Sequence, residues 1–393
     1  MKFAHLSDCH IGGWHESSLR DINLKSFQKA IEVCIEEYVG FVLISGDLFD
    51  TALPSIDIIK ETALLLSKLK NYDIPVYIIP GSHDFSASGK TMLDVLENAG
   101  LVHNVMKFES ENKLNFTVDR TGTKITGFYG KRGGLETSEY EKLIKEHLEN
   151  ENGLKIFMFH SILNEIKNNK FELIDGLSLS LLPKNFTYYA GGHPHFIHNE
   201  YIKNYGIIAY PGPIFPNNFQ ELEELKHGGL YIIEKNDGSE LKIKHLKLEV
   251  IHTDSYFINA ENKDPKEVEE EILNKVRDFK DKIITLRIEG CLISGKTSDI
   301  NFNLIKERFS ESYCLLKNTN KLTTKEFQEI ELEYNNADEI ETKILQEFSL
   351  KSKFSLEFIK EMMQNLDKEK FDGEKNSDFE LRIIKDLTNL IKL

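Results

Sequence analysis

Along the first half of the chain, short apolar runs alternate with longer stretches whose apolar positions recur at helical spacing. That alternation predicts an α/β domain built from consecutive strand–helix units. The strand-length runs are Lys2-Phe3-Ala4-His5-Leu6, Phe41 to Ile44, Pro75 to Ile79, Lys155 to Phe159 and Phe186 to Ala190. Ile56 to Leu69 and Met92 to Leu101 carry the helical pattern, with Ile59, Leu66 and Leu69 on one stripe and Met92, Leu96 and Ala99 on the other. Each stripe is expected to cover a sheet.

The residues just past each strand carry chemistry. The runs continue into Ser7-Asp8-Cys9-His10, Ser45-Gly46-Asp47-Leu48-Phe49-Asp50, Pro80-Gly81-Ser82-His83-Asp84, His160-Ser161 and Gly191-Gly192-His193-Pro194-His195. Each of them carries Asp or His. Strand C-termini of an α/β sheet meet at one edge, so residues distant in sequence converge there. Glycines at these turns let the backbone bend sharply enough to aim the next side chain into the crevice. Asp8 and His10, and likewise His193 and His195, share a face of an extended segment. Carboxylates and imidazoles gathered at one edge are metal ligands.

Composition narrows the class. With 393 residues and 40% hydrophobic content the chain has room for two to three domains and a real core. No apolar run reaches the roughly 18 residues of a membrane span, and the start, MKFAHLSDCH, lacks a signal-like stretch. The expectation is a soluble, unsecreted protein, cytoplasmic or nucleoid-associated, with no membrane contact. Cys9, Cys34, Cys291 and Cys314 are far apart and form no CxxC pair, which fits unpaired packing residues in a reducing compartment. The 64 acidic against 49 basic residues, a net charge of -15, argue against nucleic-acid affinity from a broadly basic surface. A groove holding a few cations and metal ions remains compatible with an acidic chain, because fields are local.

The order and spacing of Asp8-x-His10, Gly46-Asp47-x-x-Asp50, Gly81-Ser82-His83-Asp84, the isolated His160 and Gly192-His193-x-His195 resemble the calcineurin-like metallophosphoesterases. More narrowly, HLSDCHIG, GDLFD, GSHD and an extra module from about residue 245 resemble the Mre11/SbcD branch of DNA repair nucleases. Motifs in a fixed order are a specific signal, whereas DxH alone is not. The resemblance implies a layered α/β/β/α sandwich over residues 1–250, a small α/β capping domain over 251–335, and a linker with a C-terminal helix pair over 336–393. It also implies that Asp8, His10 and His195 hold one metal, that Ser82, His160 and His193 hold the other, and that Asp47 bridges them. Two Mn²⁺ ions per subunit are the implied cofactor. His83 would act on the leaving oxygen rather than bind metal, with Asp50 orienting it. The family usually has Asn where this chain has Ser82, a shorter and weaker neutral ligand, which implies a more weakly held second metal or a water in its place.

Bland readings stand beside these. A lone histidine is ordinarily a hydrogen-bonded core or loop residue, and His5, His103, His147, His198, His227, His245 and His252 are read that way. The joint pattern reverses the reading for His10, His83, His160, His193 and His195. Cys9 points away from the face of Asp8 and His10 and is read as packing. Trp14 and His15 suit base stacking or local packing equally, and Lys131 with Arg132 suits a phosphate contact or a solvated loop.

In the second half, Leu230 to Ile233 and Leu241 to Val250 read as a hairpin around Asn236-Asp237-Gly238-Ser239. Ser255 to Ile258, Pro265 to Phe279, Ile283 to Ile288 and a helix from about Phe302 read as a βαβα module. Near the end, Phe354, Phe358, Ile359, Met362 and Leu366 mark one amphipathic helix, and Phe379, Ile383, Leu387, Leu390 and Ile391 another, opened by the capping box Ser377-x-x-Glu380. A charged connector, Asp367 to Asn376, separates them. Such a pair needs either a partner surface or its own chain to cover both stripes. The resemblance points to a partner, a Rad50/SbcC-like coiled-coil ATPase that would receive Phe358, Met362, Leu366, Ile383 and Leu387. It also implies a homodimer, for which Ile56 to Leu69 and Met92 to Leu101 are candidates.

The reading is thus a Mn²⁺-dependent DNA double-strand break repair nuclease, an exonuclease on duplex ends and an endonuclease on single strands. Its rivals are a phosphatase or small phosphodiester hydrolase with the same metal site, and a DNA-end-binding scaffold with chemistry weakened at Ser82. The cap and the terminal helices favour the nuclease, since a stand-alone phosphatase needs neither.

Overall fold

The computed structural model describes residues 1–85, 91–131, 136–167, 176–236, 240–325, 345, 355–368 and 376–391. Arg132, Phe354, the turn residues 237–239 and most of the connector before the last helix lie outside them. Contacts divide the chain into two units, one of residues 1–257, 273–287 and 302–318, the other of 258–272, 288–301 and 319–393.

In the first unit, β1 (Lys2–Leu6), β2 (Val42–Ser45), β3 (Val76–Ile79) and β4 (His103–Asn104) run parallel. With β13 (Gly228–Glu234) and β14 (Lys242–Leu248), both in antiparallel pairings, they form a six-stranded sheet in the order β14-β13-β1-β2-β3-β4. The remaining strands are β5 (Phe108–Ser110) and β6 (Lys113–Leu114), a small hairpin, followed by β7 (Thr117–Val118), β8 (Lys124–Phe128), β9 (Lys155–His160), β10 (Tyr188–Gly192), β11 (Ile197–Ile202) and β12 (Gly206–Pro211). The last six make a second sheet in the order β11-β12-β10-β9-β8-β7. The strands expected to share one edge are therefore divided between two sheets.

Period-2 alternation explains how the sheets stack. On β1, Phe3 faces the other sheet while Ala4 and Leu6 face the helices; on β2, Leu43 does the former and Val42 and Ile44 the latter. Phe3, Leu43, Tyr77 and Ile79 from one sheet and Ile125, Ile156, Met158, Tyr188 and Ala190 from the other form a single buried cluster. Each large apolar side chain there contributes about 1.5–3 kcal/mol by leaving water. The outer face of the first sheet is covered by α1 (Ser17–Glu36) and α2 (Ile56–Asn71) through Phe27, Ile31, Leu66 and Leu69, with Leu93 and Leu96 of α3 (Met92–Asn98). The second sheet buries Phe157, Phe159 and Tyr189 against Tyr140, Leu148 and Leu182. The result is the expected α/β/β/α layering.

Local rules set the helices. Ser55 caps α2 by accepting from the Ile58 amide, with Asp57 in the first turn and Lys68 and Lys70 in the last, each sign matching the helix dipole. The 20-residue α1 lies between the first two motifs, a helix that the strand–helix alternation allows but that its own spacing did not single out.

Beyond these sheets come β15 (Thr253–Asn259), β16 (Ile283–Leu292), β17 (Cys314–Asn318) and β18 (Leu322–Thr324), with helices Pro265–Lys275 and Phe302–Arg308. β17 and β18 both pair in parallel with β16. In the second unit, helices Leu356–Leu366 and Asn376–Ile391 contact each other and are joined by the Lys368–Asp386 ion pair at 2.9 Å. Phe358, Met362, Ile383 and Leu387 are half-buried, Ile359 is buried and Leu366 is exposed. The second helix begins at Asn376, ahead of the expected cap at Ser377. Among the described residues no helix is long and apolar enough to cross a membrane.

Asp84 ties the strand ends together. Its buried carboxylate accepts from the amides of Leu48 (3.2 Å) and Phe49 (3.1 Å) after β2 and of Gly81 (3.1 Å) after β3. Asp84→Asn would turn an amide NH₂ toward those donors and is expected to cost about 1–3 kcal/mol in urea unfolding. A midpoint equal to wild type would show that the clamp contributes nothing.

Candidate metal centre

The C-terminal ends of β1, β2 and β3 in one sheet and of β9 and β10 in the other carry the site. The chain turns there through backbone that L-residues seldom adopt: φ is 50° at Asp8, 42° at His10, 52° at Asp47, 98° at His193 and 51° at His195. Such strain persists where surrounding packing over-determines it, and it clusters at functional sites. Gly81 is required for another reason, since a Cβ there would overlap the Asp47 carboxylate and amide.

Three sets of ligand-type atoms come together: Asp8, His10 and His195; Asp8, Asp47 and His160; and His10, Asp50 and His83. His10 Nε2 and His195 Nε2 are 3.0 Å apart. Asp47 Oδ2 lies 3.1 Å from His160 Nε2 and 3.6 Å from His10 Nε2, and Asp8 Oδ1 lies 3.6 Å from His195 Nε2. Asp47 thus stands between His160 on one side and His10 on the other.

The outer nitrogens of those rings are already engaged. His10 Nδ1 bonds Asp50 Oδ1 at 3.1 Å, His195 Nδ1 bonds Glu221 Oε1 at 3.0 Å, and His160 Nδ1 bonds the Ser45 carbonyl at 2.8 Å. Each of those partners accepts only, so each Nδ1 carries the hydrogen. The three Nε2 atoms then turn lone pairs toward one another and toward two carboxylates. His160 Nε2 is buried with no hydrogen-bond partner. Acceptors facing acceptors in a buried site require a cation, either protons or a metal. The residues present therefore fit a divalent metal centre, and the mixed nitrogen and oxygen donors suit a transition ion.

The protonation states agree. Burial lowers the His160 affinity for a proton, but the Asp47 charge and contact outweigh it and raise the pKa to about 10. For His195, burial is likewise overcome, by Asp8 and Glu221, and the pKa rises to about 9. Asp47 is held well below the usual carboxylate range: burial opposes this, and His160 prevails.

The other expected residues are placed as follows. Ser82 is buried, and its hydroxyl donates to Asp47 Oδ2 at 3.3 Å. His193 contributes its amide, which donates to Asp8 Oδ1 at 2.9 Å, and its ring centre lies 5.2 Å from that of His160. His83 stands at the rim, its amide donating to Asp47 Oδ1 at 2.7 Å. The orienting contact to His83 Nδ1 comes from the Asp50 carbonyl oxygen at 2.6 Å; the Asp50 carboxylate is 3.7 Å away and serves His10 instead.

Trp14 is a packing anchor, its indole donating to the Pro216 carbonyl at 2.9 Å, and Cys9 sits in the core. Lys131 is paired with Glu139. His5 is fully buried between Tyr188 Oη (2.9 Å) and Ser45 Oγ (3.0 Å), and burial pulls its pKa down to about 3, so it stays neutral. Sequence reasoning missed Glu221. The signal available was the run Asn218-Phe219-Gln220-Glu221, an N-cap with an acid at its third helical position.

Residues 1–196 match the model of the calcineurin-like phosphoesterase family. The chain belongs to that family, whose members are phosphoester hydrolases. It is similar to proteins named DNA double-strand break repair protein Mre11 from archaea. The Methanococcus maripaludis protein is 27% identical over 78% of this chain and 83% of its own. The Thermoplasma acidophilum protein is 27% identical, over 72% of each chain. The Archaeoglobus fulgidus protein is 28% identical over 57% of this chain, which spans about half, 52%, of that relative.

With pKa values of about 10 and 9, His160 and His195 hold their extra protons at pH 7, and a metal must displace one from each. Metal binding is therefore expected to release protons and to tighten as pH rises from about 7 toward 9. Calorimetry in buffers of different ionisation enthalpy measures the release; a buffer-independent heat would contradict it.

Proposed function

We propose that this chain is a Mn²⁺-dependent DNA double-strand break repair nuclease, acting as an exonuclease on duplex ends and an endonuclease on single strands. The observation that carries the reading is the set of ring nitrogens and carboxylates of buried Asp8, His10, Asp47 and His160 and half-buried His195, with His83 at its rim. The names of the archaeal relatives support DNA as the substrate.

Asp8, His10 and His195 would hold one metal, and His160, His193 and Ser82 the other, with Asp47 shared. Two such ions supply Lewis-acid activation of water and a clamp on the phosphodiester. The protein's own part is to orient. Asp50 and Ser45 fix which nitrogens of His10 and His160 face inward. With Nδ1 held by the Asp50 carbonyl, His83 presents Nε2, and a proton on it stabilises or neutralises the leaving oxygen.

Further assignments rest on sequence pattern. The apolar stripes of helices Leu356–Leu366 and Asn376–Ile391 suit docking on a Rad50/SbcC-like coiled-coil ATPase, which would supply DNA grip that an acidic chain lacks. Ile56 and Leu64 on α2 and Val95 on α3 are exposed, a surface suited to a homodimer.

Wild type is expected to cut end-labelled duplex and single-stranded DNA with Mn²⁺ and not with EDTA. Asp47→Ala should be silent. His83→Ala should lose cleavage by about 10²–10⁴-fold while still binding Mn²⁺ and DNA. Turnover of a small phosphodiester without DNA cutting would contradict the substrate assignment, and an unchanged His83→Ala rate its role. Removing residues from about 350 onward should abolish co-purification with the ATPase and spare Mn²⁺-dependent cutting. Retained co-purification would sink the docking assignment.

A further inference from the structure

The helix Phe219–Leu225 touches the metal centre through one residue and the strand β16 through three others. Glu221 accepts from His195 Nδ1 at 3.0 Å, and its carboxylate is itself fixed, by the Asn217 amide at 2.8 Å and the Asn218 side chain at 2.5 Å. One residue on, Leu222 is fully buried in a cluster with Trp14, Leu19, Ile22, Phe215 and Ile283. On the next position, Glu223 receives Arg287 Nε on Oε1 at 3.1 Å and Nη2 on Oε2 at 2.5 Å, and the Arg287 guanidinium lies 5.4 Å above the Phe219 ring. Ile283 and Arg287 both belong to β16.

We propose that Glu221 is a positioning residue for the metal ligand His195, and that the Arg287–Glu223 ion pair with the Phe219 stack holds the helix where Glu221 can do this. A carboxylate on the outer nitrogen of a ligating histidine fixes its ring and tautomer and strengthens the inner nitrogen as a donor. Sequence separates Glu221 from His195 by a strand pair, β11 and β12, so nothing local holds the two together. The work falls to the helix and its anchors. Both ion-pair side chains are largely shielded, 23% and 17% exposed, and the pairing is bidentate, the geometry in which such a pair is strong enough to hold an element in register.

The inference rests on the metal-centre reading, and the test separates the two. Mn²⁺ is titrated calorimetrically into the full metal-free chain. Glu221→Ala is expected to bind at one site about 10–100-fold more weakly, and Glu221→Gln, whose amide oxygen accepts the same Nδ1 hydrogen, to recover part of the loss. Imidazole ¹⁵N shifts of the metal-free protein, recorded at a pH high enough to leave the ring neutral, should show His195 fixed as the Nδ1–H tautomer in wild type and mixed in Glu221→Ala, a readout that does not depend on activity. Arg287→Glu and Glu223→Arg should each weaken Mn²⁺ binding, and the double variant should restore it. This charge swap decides the matter if Glu221→Ala fails to fold. Wild-type affinity and tautomer in Glu221→Ala would overturn the role of Glu221, and wild-type affinity in both single swaps would overturn that of the ion pair. A wild-type chain that binds no divalent cation would overturn the metal reading itself.

Discussion

Everything in the first unit answers to one electrostatic constraint: inward ring nitrogens and carboxylates are held face to face at the ends of the strands, where only a cation, protons or a metal, can lie between them. Asp47 lies 3.1 Å from His160 and 3.6 Å from His10, while His10 and His195 meet at 3.0 Å. Left alone, such an arrangement would splay apart or fill with protons, because buried acceptors without donors cost several kcal/mol. Its persistence depends on what lies behind each ring. The Ser45 carbonyl and the carboxylates of Asp50 and Glu221 take the outer hydrogens, which commits the inner nitrogens to a cation.

The rest of the fold supplies rigidity for that arrangement. Two sheets share a buried layer from Phe3 to Ala190, so the ends of β1, β2 and β3 are fixed against those of β9 and β10. Asp84 stitches the loops after β2 and β3 through three amides. His5, Tyr188 and Ser45 link the same layer to the carbonyl that holds His160. Against this framework the left-handed backbone at Asp8, His10, Asp47, His193 and His195 is tolerable, and the side chains of Asp8, His10, Asp47 and His195 come together there.

Much of this was legible in the chain, for a physical reason. Strands are short apolar runs, and the ligand residues sit immediately past their ends in sequence, so Asp8, His10, Asp47, His160 and His195 could be read together. Layering was legible through the family motifs. What escaped reading was set by contacts between segments far apart. The partition of strands between two sheets depends on pairings such as β10 with β12, which no local pattern encodes. Helix α1 escaped because it opens straight after the ligand loop with no side-chain cap at Glu16, although Leu19, Ile22, Phe27, Ala30, Ile31 and Cys34 carry a helical stripe. The role of Asp50 shifted because its carbonyl, rather than its side chain, meets His83, a distinction that residue identity cannot convey.

The central claim is that these inward nitrogens and carboxylates hold a pair of divalent cations. Anomalous diffraction from crystals of the chain grown with Mn²⁺ tests it most directly. The account predicts two peaks about 3.5–4 Å apart, flanking Asp47, one beside Asp8, His10 and His195 and the other beside His160. An absence of peaks there, with the histidines still clustered, would contradict it.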